Sequence, residues 1–294
     1  MVLYSNTKRC YDNRQIYKKG VVVNMIKTDC HMHSNHSGDS DTPMEDLINR
    51  AIELNFDTIC ITEHQDSDFP YTHDDEGMFT LDIPSYYNEY IELKEKYSDR
   101  LEVLFGIELG LQPICAQSNL EIVKNHPFDF VIGSSHLCNG MDPYFPEFFQ
   151  GKSEEEAYEE YFKSIIDNIN VYKGFDSYGH LDYVVRYGPN KNTQYNYQKY
   201  SGILDEVLTT IIEAGKGIEI NTSGLKYGLC QTHPCTDIIK RYKNLGGEVI
   251  TVGSDAHATK HVGYQFDIAR DILLEAGFEY YTVFKQRKPH YIKL

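Results

Sequence analysis

The chain has 294 residues, of which 41% are hydrophobic, and its formal net charge at pH 7 is −16. This length allows one large domain with a substantial core or two small domains, and the apolar runs are far too short to cross a membrane. The excess of carboxylates disfavours long nucleic acids and anionic membranes as partners, because phosphate contacts need clustered lysine and arginine.

The N-terminus and the cysteines predict a cytoplasmic protein. The first residues are polar and lack the apolar core of a secretion signal. The seven cysteines form no Cys-x-x-Cys pair, which predicts free thiols in a reducing compartment. Residues 1–24 are predicted to be an N-terminal extension and residues 25–294 a single domain, with Met25 as a candidate downstream start.

Short apolar runs alternate with amphipathic stretches, a pattern typical of βα units around a parallel sheet. Strands are predicted at Met25–Cys30, Thr58–Thr62, Leu101–Ile107, Phe130–Ser134, Ser177–Gly179, Gly217–Ile220 and Glu248–Val252. Helices are predicted at Thr42–Asn55, Ser85–Tyr97, Ser153–Asn170, Gly202–Ala214, Thr236–Leu245 and Phe266–Ala276. In the first helix, Thr42 is the predicted N-cap and Pro43 the first helical residue. Seven such units predict either a barrel or an open doubly wound sheet.

Three polar, irregular stretches are predicted to be long connections, and loops of this length inside a domain are more often functional than accidental. They are Gln65–Pro84, Met141–Gly151 and Arg186–Tyr200.

Histidine and carboxylate side chains follow the predicted strands at their carboxyl ends. In chain order they are His31, His33, His64, Glu108, His136, His180, Asp255 and His257. Residues two apart on a strand point the same way, and all strand ends of a parallel barrel open on one face. Imidazole and carboxylate are the natural donors for zinc, manganese and iron. The sequence therefore predicts a metal site at this face.

Each of these motifs is weak alone, because paired histidines occur on surfaces and single histidines often cap or pack. Their common position after successive strands is what favours metal binding. The histidines without this position are predicted to be structural or superficial: His73, His126, His233, His261 and His290, with His36 ambiguous.

The motifs DCHMHS, ITEH, GIE, GSSH, GHLD and GSDAH occur in the order of the PHP (polymerase and histidinol phosphatase) superfamily, which the chain resembles over nearly its whole length. The resemblance implies an α/β fold, a distorted seven-stranded TIM-like barrel, and three divalent ions of zinc, manganese or iron. Carried over by motif, the first ion would be bound by His31, His33, Glu108 and Asp255. The second would be bound by Glu108, His136 and His180, and the third by Asp39, His64 and His257. Asp39 stands where some members carry histidine.

The segments GHLDYVVRYGP and EINTSGLKYG resemble the histidinol-phosphate phosphatase branch of that superfamily. This implies hydrolysis of L-histidinol phosphate to L-histidinol and phosphate in histidine biosynthesis, by a metal-bridging hydroxide that attacks phosphorus. Arg186, Asp255 and His257 are the implied catalytic residues, and Arg186 and Lys226 would bind the phosphoryl group. The expected partner is a small phosphorylated substrate, and the sequence assigns neither an oligomeric state nor a general acid.

Three alternatives stay open at this point. The first is a PHP phosphoesterase that acts on a nucleotide or another small phosphoester. The second is a metal-binding module without catalysis, which the presence of every matched ligand disfavours. The third is a binuclear amidohydrolase, which also begins with His-x-His but uses a strand-end lysine that this sequence lacks.

Overall fold

The computed structural model describes residues 25–70 and 77–294. The predicted N-terminal extension and His73 lie outside the described residues. Seven parallel strands form one sheet in chain order. They are β1 (Thr28–Asp29), β2 (Thr58–Gln65), β3 (Glu102–Gly110), β4 (Phe130–Ser134), β5 (Ser177–Tyr178), β6 (Gly217–Asn221) and β7 (Ile250–Gly253). Every predicted strand is confirmed, with shifts at the ends.

Backbone contacts between the first and last strands close this sheet. The amide of Cys30 donates to the carbonyl of Val252 at 2.9 Å, and the amide of Asp255 donates to the carbonyl of His31 at 2.8 Å. A parallel bridge joins Met32 to Ala256 just beyond the strand ends. Of the two predicted arrangements, the seven-stranded barrel is confirmed and the open sheet is wrong.

Helices surround the barrel, and the predicted ones lie within two residues of their expected bounds. They are α1 (Met44–Glu53), α2 (Ile83–Tyr97), α3 (Ala116–Asn125), α4 (Glu154–Val171), α5 (Ser201–Glu213), α6 (Ser223–Lys226), α7 (Thr236–Asn244) and α8 (Phe266–Glu275). Helices α3 and α6 were not predicted, and neither was the antiparallel hairpin of β8 (Tyr280–Lys285) and β9 (Lys288–Lys293). Two of the predicted long connections contain short 3-10 turns, at Pro146–Phe149 and Gln198–Tyr200, and a further turn, Tyr183–Arg186, ends where the connection Arg186–Tyr200 begins.

The start of α1 differs from the sequence prediction. Pro43 is the N-cap and makes no side-chain capping bond. The hydroxyl of Thr42, predicted as the cap, instead donates to the carbonyl of His257 at 2.8 Å. The predicted cap is therefore wrong, because the hydroxyl stabilises the loop after β7 and not the helix end.

Aromatic side chains of the surrounding helices pack on the outer face of the barrel. The hydroxyl of Tyr86 in α2 donates to the carbonyls of Ile61 and Gly106, at 2.8 and 3.0 Å, and so ties the helix to β2 and β3. The Tyr86 ring also lies 4.8 Å from that of Phe105. This buried layer fixes the barrel wall from outside and leaves its carboxyl end for functional side chains.

Five described cysteines are buried free thiols, as predicted: Cys30, Cys60, Cys115, Cys138 and Cys235. Cys230 is disulfide-bonded, so the prediction of free thiols is wrong at that position, because spacing along the chain does not show which sulfurs meet in space. Among the described residues, no helix has the length and apolar character needed to cross a membrane.

Removal of core volume at Ile165 in α4, which is fully buried, is expected to destabilise the fold. Ile165→Ala should lower the free energy of unfolding by about 2–5 kcal/mol, through lost burial and a residual cavity. Ile114→Ala is the matched control, since Ile114 is 82% exposed, and its effect should stay below about 0.5 kcal/mol. Urea unfolding of both variants at equal metal loading measures the difference. Equal effects would contradict the assigned core.

Candidate metal centre

The carboxylate of Glu108, at the carboxyl end of β3, is fully buried and surrounded by histidines. Its Oε2 atom lies 3.1 Å from Nε2 of His31, 3.4 Å from Nε2 of His33 and 3.0 Å from Nδ1 of His64. One oxygen thus faces ring nitrogens from two strand ends.

The other oxygen of Glu108 faces two further strand ends. Oε1 lies 2.8 Å from Nε2 of His180 and 3.2 Å from Nε2 of His136. The hydroxyl of Ser134 donates to the same oxygen at 2.6 Å. Glu108 therefore has the geometry of a bridge between two groups of histidines, as the family resemblance implies.

A second carboxylate, Asp39, stands at the rim of the barrel. Its Oδ2 atom lies 3.1 Å from Nε2 of His257 and 3.5 Å from Nε2 of His64. The His33 ring stacks on that of His64 with centroids 4.0 Å apart. His33, His64 and His257 together offer ligand atoms within 4.8 Å of one another.

Asp255 completes the arrangement from the far side of the barrel seam. Its Oδ1 atom lies 3.6 Å from Nε2 of His33 and 3.9 Å from Nε2 of His31. The backbone of Asp255 is left-handed, with φ of 53°, a conformation that aspartate adopts more readily than most residues. The structure thus brings together every residue for which metal binding was predicted: His31, His33, Asp39, His64, Glu108, His136, His180, Asp255 and His257.

Several buried atoms of these residues face one another at short distance yet make no hydrogen bond among the described residues, which fits a metal between them. They include Nε2 of His31, Nε2 of His33, Nδ1 of His64 and Oε2 of Glu108. Such atoms are costly to bury unless something satisfies them, and imidazole and carboxylate together suit zinc, manganese and iron. Overlapping triads of possible ligands occur at His31, His33, Glu108 and at His64, Glu108, His136. The site therefore has the donors for divalent cations.

Burial and neighbouring charges set the protonation of these groups. Burial lowers the pKa of His33 well below its ordinary value, which leaves the neutral ring that binds metal. Burial would raise the pKa of Glu108, but the charges of His31, His136 and His64 hold it well below its usual range. Burial would lower the pKa of His136, but Asp66 and Glu108 raise it to about 10.

Two carboxylates that the sequence did not single out orient metal-facing rings. Oε1 of Glu219, in β6, lies 2.7 Å from Nδ1 of His31. Oδ1 of Asp66 lies 2.8 Å from Nδ1 of His136, and a side chain at Gly110 would collide with Asp66. Carboxylates on the second ring nitrogen fix the tautomer and raise ligand basicity. The signal for Glu219 is its position as an acidic residue inside the apolar strand GIEIN.

Other buried carboxylates beside the ligands hold the loops and not the rings. Asp29 accepts the backbone amides of His31 at 3.3 Å and Ser254 at 3.0 Å. Glu63 accepts the amide of Ser34 at 3.0 Å. These bonds fix the backbone on which the metal-facing side chains stand.

A cavity of about 240 Å³ opens over the metal-facing side chains. Beyond those side chains, its wall contains Asp66, Phe69, Phe79, Asp142, Tyr183, Arg186, Tyr187 and Tyr227. Arg186, which the sequence predicted, is buried and donates from one terminal nitrogen to the hydroxyl of Ser223 at 2.8 Å. The same nitrogen lies 3.7 Å from Oδ2 of Asp255. The ammonium of Lys226 donates to the carbonyl of Asp255 at 3.1 Å.

Three of the remaining histidines have structural partners. His233 is fully buried and pairs with Asp182. Nε2 of His36 lies 2.7 Å from Oε2 of Glu89, and Nδ1 of His126 lies 2.9 Å from the carbonyl of Ile122. These pairings lie outside the group around Glu108.

The family model of the PHP domain matches residues 29–223. The histidinol-phosphatase of Lactococcus lactis is 33% identical over 90% of this chain and 96% of its own length. A probable histidinol-phosphatase of Clostridium acetobutylicum is 36% identical over 81% of this chain and 89% of its own length.

Two solved structures are similar. The crystal structure of histidinol phosphate phosphatase from L. lactis, complexed with zinc, L-histidinol and phosphate, has a TM-score of 0.84 and 31% identity. It covers 91% of this chain and 100% of its own. A crystal structure of a putative histidinol phosphatase from Listeria monocytogenes has a TM-score of 0.71 at 21% identity, covers 82% of this chain and 99% of its own, and supports the fold alone.

Loss of the carboxylate that orients His31 is expected to weaken metal binding. Glu219→Gln should reduce zinc affinity by about 10- to 100-fold, because the ring loses its charged partner. Competition with a chelator measures the change. Glu248→Gln is the matched control, since Glu248 is exposed and its loss should leave the affinity unchanged. An unaltered affinity in Glu219→Gln would contradict the assigned role.

Zinc affinity is expected to rise with pH, because metal must displace protons from histidines. The pKa of metal-free His136 is raised to about 10, so the ring is protonated at neutral pH and must lose its proton to bind. The affinity should increase roughly tenfold per pH unit for each proton released. Chelator competition at pH 6, 7 and 8 measures the slope of log zinc affinity against pH. Proton release on zinc binding in weak buffer gives the number of protons displaced. A slope of zero would show that the ligands are already neutral.

Proposed function

Because the chain belongs to the PHP domain family and matches histidinol-phosphatases over most of its length, we propose that it hydrolyses L-histidinol phosphate to L-histidinol and phosphate. The observation that carries this proposal is a buried arginine, Arg186, in the same cavity wall as the metal-facing residues around Glu108. The enzyme is a phosphoric monoester hydrolase of the histidinol-phosphatase type, and a cytoplasmic location stays a prediction.

We propose that the site holds three divalent ions with the ligand sets that the resemblance implies. The contacts of Glu108 with histidines through both oxygens support a bridging role, and Asp39 between His64 and His257 supports the third set. Zinc is the favoured identity, since the related L. lactis structure contains it. Bound divalent ions supply charge neutralisation for the phosphoryl oxygens and acidify water for attack on phosphorus.

Arg186 is proposed to bind the phosphoryl group. Its guanidinium carbon lies 4.1 Å from the ring centroid of Tyr227, and Ser223 holds one terminal nitrogen. Its buried Nε has no hydrogen-bond partner among the described residues. A planar guanidinium held in this way presents parallel N–H donors to two phosphoryl oxygens, which a lysine cannot do.

Asp255, His257 and Lys226 are proposed to complete the catalytic end of the cavity. Asp255 lies between the metal-facing histidines and Arg186, so it balances the positive charge on both sides. Lys226 holds the Asp255 backbone, and burial lowers the pKa of its ammonium. We assign Lys226 an electrostatic contribution near the phosphoryl group.

Purified zinc- or manganese-loaded protein is expected to release phosphate from L-histidinol phosphate in strong preference to p-nitrophenyl phosphate or a nucleoside monophosphate. His136→Ala should lower kcat/KM by about 100-fold or more, since metal-assisted charge stabilisation contributes several kcal/mol. The control is His290→Ala, an exposed position where activity should be retained. Turnover of only the other esters would refute the proposed substrate, and no turnover by fully metallated protein would refute catalysis.

A further inference from the structure

Asp142, in the connection after β4, is a buried carboxylate in the wall of the catalytic cavity. Its Oδ1 atom accepts the backbone amide of Tyr144 at 2.8 Å and lies 3.5 Å from the hydroxyl of Tyr183. The metal sets and the phosphoryl-binding role proposed above use neither Asp142 nor these tyrosines.

This carboxylate has no cationic partner among the ion pairs of the described residues. Arg186, the cation in the same cavity wall, lies beside Asp255 instead. Burial raises the pKa of Asp142 to about 6, against the opposing effects of the Tyr144 amide and of His136. At pH 7 and above it is therefore mostly ionised. A buried carboxylate without a cation in direct contact is unfavourable, so a ligand cation in the cavity would satisfy it.

Tyr183 places Asp142 close to the reacting end of the cavity. The Tyr183 ring centroid lies 5.8 Å from that of His136 and 5.2 Å from that of His180. The guanidinium carbon of Arg186 lies 5.2 Å from the same ring. Because the Tyr183 hydroxyl faces Asp142, one tyrosine ring separates this carboxylate from the residues proposed to hold metal and phosphate.

Aromatic rings extend the wall away from the metal ligands. The Tyr187 ring lies 5.0 Å from that of Tyr183 and 5.4 Å from that of Tyr144. Such faces pack well against a flat heterocycle. Within the described part of the chain, the cavity wall therefore combines a proposed phosphate end, the carboxylate of Asp142 without an ion-pair partner and an aromatic surface.

We propose that Asp142 binds the ammonium group of the substrate's alcohol part and so determines specificity, an inference that rests on the proposed function. L-Histidinol phosphate carries its ammonium on the carbon next to the ester methylene, so this cation and the phosphoryl group are separated by only two carbons. The proposed arrangement has the phosphoryl group at Arg186, the ammonium at Asp142 and the imidazole ring against Tyr183 and Tyr187.

The test compares two substrates that differ only in the amine. L-Histidinol phosphate and 3-(imidazol-4-yl)propyl phosphate both release a primary alcohol, so a general acid would serve both equally. The wild-type enzyme is expected to favour L-histidinol phosphate in kcat/KM by about 10- to 100-fold, the effect of one hydrogen bond to a charged group. Equal kcat/KM for the two esters in the wild-type enzyme would overturn the proposal.

Asp142→Asn should abolish that preference. The amide keeps an oxygen for the Tyr144 backbone but loses the charge, so KM for L-histidinol phosphate should rise about 10- to 100-fold with little change in kcat. For 3-(imidazol-4-yl)propyl phosphate, the des-amino ester, kcat and KM should both change little. Glu147→Gln, an exposed position in the same connection, is the matched control and should keep the preference. Asp142→Ser is the second variant in case the first does not fold, and zinc content and circular dichroism are checked in each.

Calorimetry in the presence of phosphate measures the affinity for L-histidinol without turnover. The Asp142 variants should bind L-histidinol about 10- to 100-fold more weakly than the wild-type enzyme. Their affinity for the des-amino alcohol, 3-(imidazol-4-yl)propanol, should be unchanged. A loss of kcat on both esters would assign Asp142 as a general acid and overturn ammonium binding. If the wild-type enzyme hydrolyses L-histidinol phosphate and the variants keep its preference, only this inference fails. If it hydrolyses only other esters, the proposed function fails with it.

Discussion

The contact of one buried carboxylate with five histidines is the constraint on which the rest of this structure depends. Glu108 is fully enclosed, yet both of its oxygens face ring nitrogens. A group of this kind is stable only where cations balance it. The segments after β1 and β5 and the loops held by Asp29 and Glu63 bring histidine nitrogens to this one carboxylate.

The metal-facing residues could be predicted from the sequence because a parallel barrel places every strand end on one face. The positions of His64 and His136 after their strands were therefore sufficient to predict that the two side chains lie on the same face of the barrel. Glu219 and Asp66 could not be found in this way, because their roles depend on which ring nitrogen each one meets across neighbouring strands. Arg186 was found only through the family resemblance, since nothing in its local sequence distinguishes it from a solvated loop cation.

Local signals predicted most of the fold, and they failed where a tertiary contact replaced a local one. The hydroxyl of Thr42 has the right position for a cap, but the loop at His257 takes its hydrogen bond. Helix α3 was missed, and of its residues Asn119 is buried while the others are partly or fully exposed. Ser153, predicted as the first residue of helix α4, caps that helix with Glu156 in a reciprocal arrangement.

The seam of the barrel has a consequence for how metal binding relates to folding. The backbone bond between His31 and Asp255 joins the two ends of the sheet, and both residues also offer side chains to the same metal-facing group. An ion bound there would cross-link segments that are far apart in sequence, as a disulfide does, and restrict opening of the seam. Metal occupancy and integrity of the barrel are thus thermodynamically linked, and amide hydrogen exchange at Cys30 and Asp255 reports on both.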